Sequence, residues 1–180
     1  GIDKIICFIF LIGDNDDGRL LILSGYPDWP RHDHRYLLGM GVFIFNRGDF
    51  KSACGPCPEE LFWFYGKNGI EKYENIKSDH SPIKSRAFPD AGLYVIRNDE
   101  RKDYALIKAG NPMPNAPRAH CHNDILSLEL WVNGIPVLID PGTFCYSSEI
   151  DKRNYFRSTL MHNTVTVNNE EINPLNKNVF

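Results

Sequence analysis

Two apolar runs, Leu126 to Val132 and Ile135 to Ile139, are separated only by Asn133-Gly134. That dipeptide is the strongest short-range signal for a two-residue hairpin, because both turn positions require positive φ. The chain is therefore expected to double back here, with Val132 paired to Ile135. Leu93-Tyr94-Val95-Ile96 and Tyr104-Ala105-Leu106-Ile107 are further strand candidates, separated by the polar stretch Arg97 to Asp103. Thr164-Val165-Thr166-Val167 is predicted as the last strand, turning at Asn168-Asn169. The second half thus reads as an antiparallel β unit, the start of a sandwich.

The first third has a different period. Asp33 is placed to cap a helix carrying Tyr36, Leu37, Leu38, Met40 and Val42 to Phe45, although Gly39 and Gly41 weaken it. A second short helix starts at Pro58, has Glu59 and Glu60 in its first turn, and is expected to stop at Gly66 after Leu61 to Tyr65. Gly66 to Pro89 is polar and reads as a connection. Helices followed by strands give an α+β class. There is no internal repeat and no low-complexity tract.

The chain has 180 residues, 42% hydrophobic, and a formal net charge of -3. These values suit a globular core and provide no basic stripe, so nucleic acid is not an expected partner. Ile5 to Ile12 is too short to span a bilayer and lacks a small-residue cleavage site, so it reads as a buried element and not a targeting segment. The loop-like Gly13-Asp14-Asn15-Asp16-Asp17-Gly18 follows it. With no initiator Met and no closing turn after Asn176, the ends read as cut from a longer chain. Five Cys do not form a disulfide framework.

The polar residues with the most chemistry to offer are His120, His122, Asp140 and His162. On a strand, residues i and i+2 face the same side, which would aim His120 and His122 at one site. Imidazole and carboxylate are natural zinc ligands, and three protein ligands leave a position open. A lone histidine is more often a hydrogen-bonded surface residue, and the spacing by itself leaves that reading open. A uniform hairpin register puts Asp140 opposite Ser127, five residues and roughly 17 Å along an ideal strand from His122. Bringing the two together requires a bulge or a sharp bend, which Pro141-Gly142 is suited to supply.

Several known families share pieces of this pattern. Cupins place a Glu four or five residues after His-x-His, whereas Glu129 lies seven after His122. The metallo-β-lactamase pattern fits His120 to Asp124 but fails at Ile125. Cys54-Gly55-Pro56-Cys57 reproduces the thioredoxin dithiol without its preceding Trp or its βαβ context, and a tight turn is the plainer reading.

A longer match covers nearly the whole chain. Ala119-His120-Cys121-His122-Asn123-Asp124-Ile125-Leu126-Ser127-Leu128, then Asp140-Pro141-Gly142-Thr143, then Tyr155-Phe156-Arg157-Ser158-Thr159-Leu160-Met161-His162-Asn163-Thr164-Val165 resemble the heparinase II/III-like polysaccharide lyases in order and spacing. Weaker matches are Gly13-Asp14 with Asp17-Gly18-Arg19, Leu61-Phe62-Trp63, and Phe88-Pro89-Asp90-Ala91-Gly92.

The resemblance implies the C-terminal helices of an (α/α) toroid over residues 1–75 and the first part of an antiparallel β-sandwich over residues 76–180. It implies β-elimination on an acidic, uronate-containing polysaccharide such as a glycosaminoglycan or alginate. It implies zinc at His122, Asp140 and His162, which organises the site, and a catalytic role for His120. It also implies a periplasmic, cell-envelope or secreted location, and further catalytic groups upstream of Gly1. Tyr146 and Arg157 lie near the motifs and are candidates for the cleft and for a substrate carboxylate; a packed aromatic and a structural ion pair are their plainer readings. A non-catalytic carbohydrate-binding or structural sandwich, and a cupin-like metal enzyme, are the alternatives. Oligomeric state is not legible in the sequence.

Overall fold

The structure, a computed structural model, describes residues 23–25, 33–110 and 121–175. The apolar run Ile5 to Ile12, the Gly13 to Gly18 loop, His120 and the segment from Asn176 lie outside the described residues. The chain divides into two compact units between Pro82 and Ile83.

In the first unit, α1 (Arg35–Phe45), α2 (Gly48–Cys54) and α3 (Glu60–Asn75) surround a small core. Asp33 meets the expectation of a cap from just outside α1: its Oδ1 accepts the Arg35 N–H at 3.1 Å. The two glycines that weaken α1 as an isolated helix are what let it pack. A Cβ on Gly39 would stand 2.2 Å from Cγ of Pro58, and one on Gly41 would stand 2.7 Å from the Phe50 ring. Val42, Cys54, Leu61 and Tyr73 are buried in the centre, and the Tyr73 hydroxyl donates to the Gly55 carbonyl at 2.7 Å. Gly39→Ala is therefore expected to cost about 1–3 kcal/mol by overpacking, read as a lower urea midpoint.

The sequence reading misses α2 and ends α3 too early. Gly66 has φ 60° and ψ -150°, a true interruption, but the helix resumes and runs to Asn75. Resumption is a tertiary effect, because the second half of α3 buries Gly69 and Tyr73. Lys51 then caps its end, donating to the carbonyls of Tyr73 (2.8 Å) and Glu74 (3.1 Å). The Cys54 to Cys57 turn sits beside this core. Both thiols are free, and burial pushes both up, Cys57 to about 11 with Glu74 and Cys54 adding to it. Such thiols are poor thiolate nucleophiles, in line with the tight-turn reading.

In the second unit, five strands form one antiparallel meander in the order β1 (Arg86–Phe88), β2 (Leu93–Asn98), β3 (Asp103–Lys108), β4 (Ser127–Val132), β5 (Ile135–Leu138). The expected hairpin is present, with Asn133 at φ 53°, Gly134 at φ 77° and Val132 facing Ile135. Its uniform register is not. Trp131 pairs with Pro136, but Leu130 pairs with Leu138, so Val137 is extra. Pro136 cannot donate to a ladder, and the edge strand accommodates it with a bulge. Continued from Leu138, this register carries Asp140 one residue further along β4 than a uniform hairpin would, opposite Leu128 and not Ser127.

One further expectation changes. Thr164 to Val167 forms no strand; a lone Val167–Glu170 bridge closes a turn in which Asn168 (φ 55°) and Asn169 (φ 57°) both have positive φ. The turn is as expected, but the segment joins no strand ladder among the described residues. The stretch before the 159–161 single turn is helical, α4 (Ile150–Arg157).

Candidate metal and catalytic site

His122 sits in a loop, not on a strand: β4 begins only at Ser127. The two-residue spacing therefore does not align His120 and His122 through strand geometry, and His120 lies outside the described residues. Other bonds hold the His122 loop. The Asn123 N–H donates to the Arg157 carbonyl at 2.9 Å, and Arg157 donates from Nε (3.0 Å) and Nη2 (2.9 Å) to the Cys121 carbonyl. Leu126, at φ 61°, turns the chain from this loop into β4, an uncommon backbone conformation for a side chain of that size.

His162 arrives from the opposite direction. A single 3-10 turn, Thr159–Met161, follows α4 and ends at His162. The next residues are tied to β4 and β5. The Asn163 carbonyl accepts the Leu128 N–H at 3.1 Å, its side-chain amide donates to Ile139 O at 2.9 Å, and Thr164 Oγ1 donates to Ile125 O. Asn163 thus makes backbone hydrogen bonds to its neighbours.

These ties bring together three of the expected residues. His162 and His122 are both buried, with ring centroids 5.2 Å apart. His162 Nδ1 lies 2.9 Å from Asp140 Oδ2. A carboxylate only accepts, so Nδ1 carries the hydrogen, and in the neutral imidazole the lone pair is on Nε2. Nε2 is buried and has no hydrogen-bond partner among the described residues. Asp140 Oδ1 accepts the Gly142 N–H at 2.8 Å, and Gly142 has φ 66°. The bend at Pro141-Gly142 is therefore real, and it holds the carboxylate against His162.

An inward lone pair beside a second imidazole, oriented by a carboxylate, fits the nitrogen-rich chemistry of a zinc ligand set. As the side chains stand, no three His, Cys, Asp or Glu among the described residues close into a metal-holding group. Tyr146 lies in the loop before α4, 38% exposed.

Glu129 is a site residue that sequence reasoning weighed only as a cupin ligand. Alternation along β4 puts Ser127, Glu129 and Trp131 on one face, where Ser127 and Glu129 are buried. An acid on the buried side of a strand was the available signal. Its Oε1 accepts the Asp140 N–H at 3.3 Å. Burial, with a smaller push from Asp140, raises its carboxyl to about 7 against that hydrogen bond. Burial and then Glu129 push the Tyr104 hydroxyl up to about 12.

The folded chain thus keeps the Glu129 proton up to about pH 7, whereas the unfolded chain releases it near 4.5. Between these values the folded state binds more protons, so stability should fall as pH rises. The ceiling is about 3 kcal/mol. Urea unfolding at pH 5 and pH 8 should show that slope in the parent chain and a flatter one in Glu129→Gln; equal slopes would refute the assignment.

Residues 81–175 match the family model described as "Heparinase II/III-like, C-terminal". The chain belongs to the heparinase II/III-like family. The match holds His122, Asp140 and His162 together with Glu129 and α4. Among the family's curated members, a heparin-sulfate lyase of Bacteroides stercoris is 37% identical over 95 residues, which cover 49% of this chain and 13% of that protein. A heparin-sulfate lyase of Pedobacter heparinus is 30% identical over 93 residues, covering 49% of this chain and 14% of that protein. The chain therefore spans about an eighth of the length of these relatives.

A solved heparinase III superposes with a TM-score of 0.55 at 24% identity, over 78% of this chain and 20% of its own. A heparan sulfate lyase of Pedobacter heparinus gives 0.52 at 23%, over 76% and 19%. This is likeness of fold, in keeping with helices of a toroid followed by part of an antiparallel β-sandwich.

Proposed function

We propose that this heparinase II/III-like chain serves a polysaccharide lyase that cleaves an acidic, uronate-containing polysaccharide by β-elimination. One observation carries the reading: the Asp140–His162–His122 cluster lies inside residues 81–175, which match the heparinase II/III-like family model, and two curated relatives of this chain are named heparin-sulfate lyases. In such a reaction a base takes the proton from the carbon beside the uronate carboxylate. The bond from the adjacent carbon to the glycosidic oxygen then breaks, and the leaving oxygen is protonated. Positive charge near the uronate carboxylate stabilises the developing enolate.

In this proposal His120 is a catalytic histidine, Tyr146 serves proton transfer to the leaving oxygen, and Arg157 meets a substrate carboxylate. The Nε and Nη2 of Arg157 also hold Cys121, so the same cation would anchor the His122 loop. His122 and His162 offer ring nitrogens to zinc, and Asp140 completes the set while fixing the His162 tautomer. Bound zinc supplies a local positive charge that organises the cleft. The protein would act in the periplasm, at the cell envelope or outside the cell, where such polymers lie.

The test is incubation with heparan sulfate, other glycosaminoglycans and alginate, followed by absorbance near the ultraviolet edge, where unsaturated uronides absorb. A rise with at least one polymer is expected. No rise with any of them, from a protein carrying the whole catalytic region, would overturn the lyase reading.

A further inference from the structure

Glu171 belongs to none of the motifs, yet it is bonded to both histidine-bearing segments. Its Oε2 accepts three hydrogen bonds, from the Asn123 side-chain amide at 2.7 Å, the Thr159 N–H at 2.8 Å and the Thr159 hydroxyl at 2.8 Å. Asn123 directly follows His122, and Thr159 opens the single turn that ends at His162. Asn123 and Thr159 are 3% and 1% exposed, so their donors have no recourse to water if the acceptor is lost.

The surrounding bonds close the unit. The Thr159 hydroxyl accepts the Ile172 N–H at 3.0 Å, the Asn123 amide also donates to Asn173 O at 2.8 Å, and the Asn173 amide donates to Asn123 Oδ1 at 3.3 Å. Burial alone would raise the Glu171 carboxyl. The Thr159 N–H, the Asn123 amide and the Thr159 hydroxyl, with His162 nearby, outweigh it and hold the group below its ordinary value.

We propose that Glu171 is a positioning residue whose carboxylate clamps the His122 loop to the His162 turn and so sets the spacing of the two imidazoles. The separate tie through Arg157 fixes where the backbone of the loop runs. Glu171 acts on the Asn123 side chain and on the start of the turn. Its loss should therefore disturb the imidazole pair while the sheet stays intact. The clamp deepens the site reading above, but its geometry stands without a metal.

The first test is free of metal: long-range hydrogen–nitrogen NMR spectra of the imidazoles in the chain. In Glu171→Ala the His122 and His162 ring signals should shift or broaden, while the amides of β2 and β3 keep their positions. Glu171→Gln retains an oxygen acceptor and should lie between the two. Ring signals that superimpose on those of the parent would overturn the proposal. If Glu171→Ala fails to fold, Glu171→Gln and Thr159→Val (which removes only the hydroxyl) decide by the same criterion.

The second test titrates cobalt(II) as a probe, where Glu171→Ala should bind at least about 10-fold more weakly. Unchanged affinity and visible spectrum would also overturn the clamp. A parent chain that takes up no cobalt(II) or zinc would overturn the metal reading instead, and the ring spectra alone would then judge the clamp.

Discussion

Replacing His162 with Ala is expected to reduce the zinc retained by the chain to less than about a tenth of the parent's, the largest effect of any single site change. His162 presents a buried Nε2 with no hydrogen-bond partner among the described residues, beside the His122 ring. Asp140→Ala removes a proposed ligand and also acts one step back. It removes the acceptor that fixes hydrogen on Nδ1, so the imidazole loses both its tautomer and its orientation. Loss of such a partner by itself weakens binding about 10- to 100-fold, and loss of the Asp140 ligand adds to that. Zinc content after dialysis, and affinity by competition with a chelator, separate the two variants. Undiminished zinc in both would remove the metal assignment altogether.

Lys108→Ala is expected to cause the largest loss of stability, about 2–4 kcal/mol. Lys108 Nζ pairs with Asp124 Oδ2, and the Asp124 side chain is only 4% exposed. Removing the cation leaves a buried carboxylate with no other ion pair among the described residues. Lys108 is 33% exposed, which places the estimate below that for a fully buried pair. Asp124→Asn should cost less, because a neutral amide tolerates the same site. The double variant should recover part of the loss of Lys108→Ala. Urea unfolding of all four chains gives the coupling between the two positions. A coupling below about 0.5 kcal/mol would show that the pair contributes no more than an ordinary surface ion pair. A backbone bond joins the same two segments, where the Leu126 N–H donates to Lys108 O at 2.7 Å.

Local chemistry was legible wherever a few adjacent residues decide the outcome. Asn133-Gly134 predicts its own turn, and short apolar runs bounded by polar stretches predict β2, β3 and β4, because these depend on φ preference and local composition. Asp33 was readable as a cap for the same reason. Elements that depend on distant partners were not. The second half of α3 is polar in sequence and becomes helical because Tyr73 reaches the core and the Gly55 carbonyl. The bulge at Val137 follows from Pro136 on an edge strand, and a uniform register cannot anticipate it. Glu171 carries no motif, and its role arises only when Asn123, 48 residues earlier, folds against it.

The sequence by itself determined the antiparallel hairpin and the α+β class, and it singled out His120, His122, Asp140 and His162 as candidates with chemistry to offer. Side-chain type and short-range spacing carry that information. Tertiary structure alone decided that His122, Asp140 and His162 meet. A shifted β5 register and the Gly142 bend bring Asp140 to His162. A helix and a single turn, held at Asn163 and Thr164, deliver His162 to a loop that Arg157 and Glu171 keep in place. Each of those contacts joins residues far apart in the chain, where loop-closure entropy is offset only by the assembled network, and no local pattern records it.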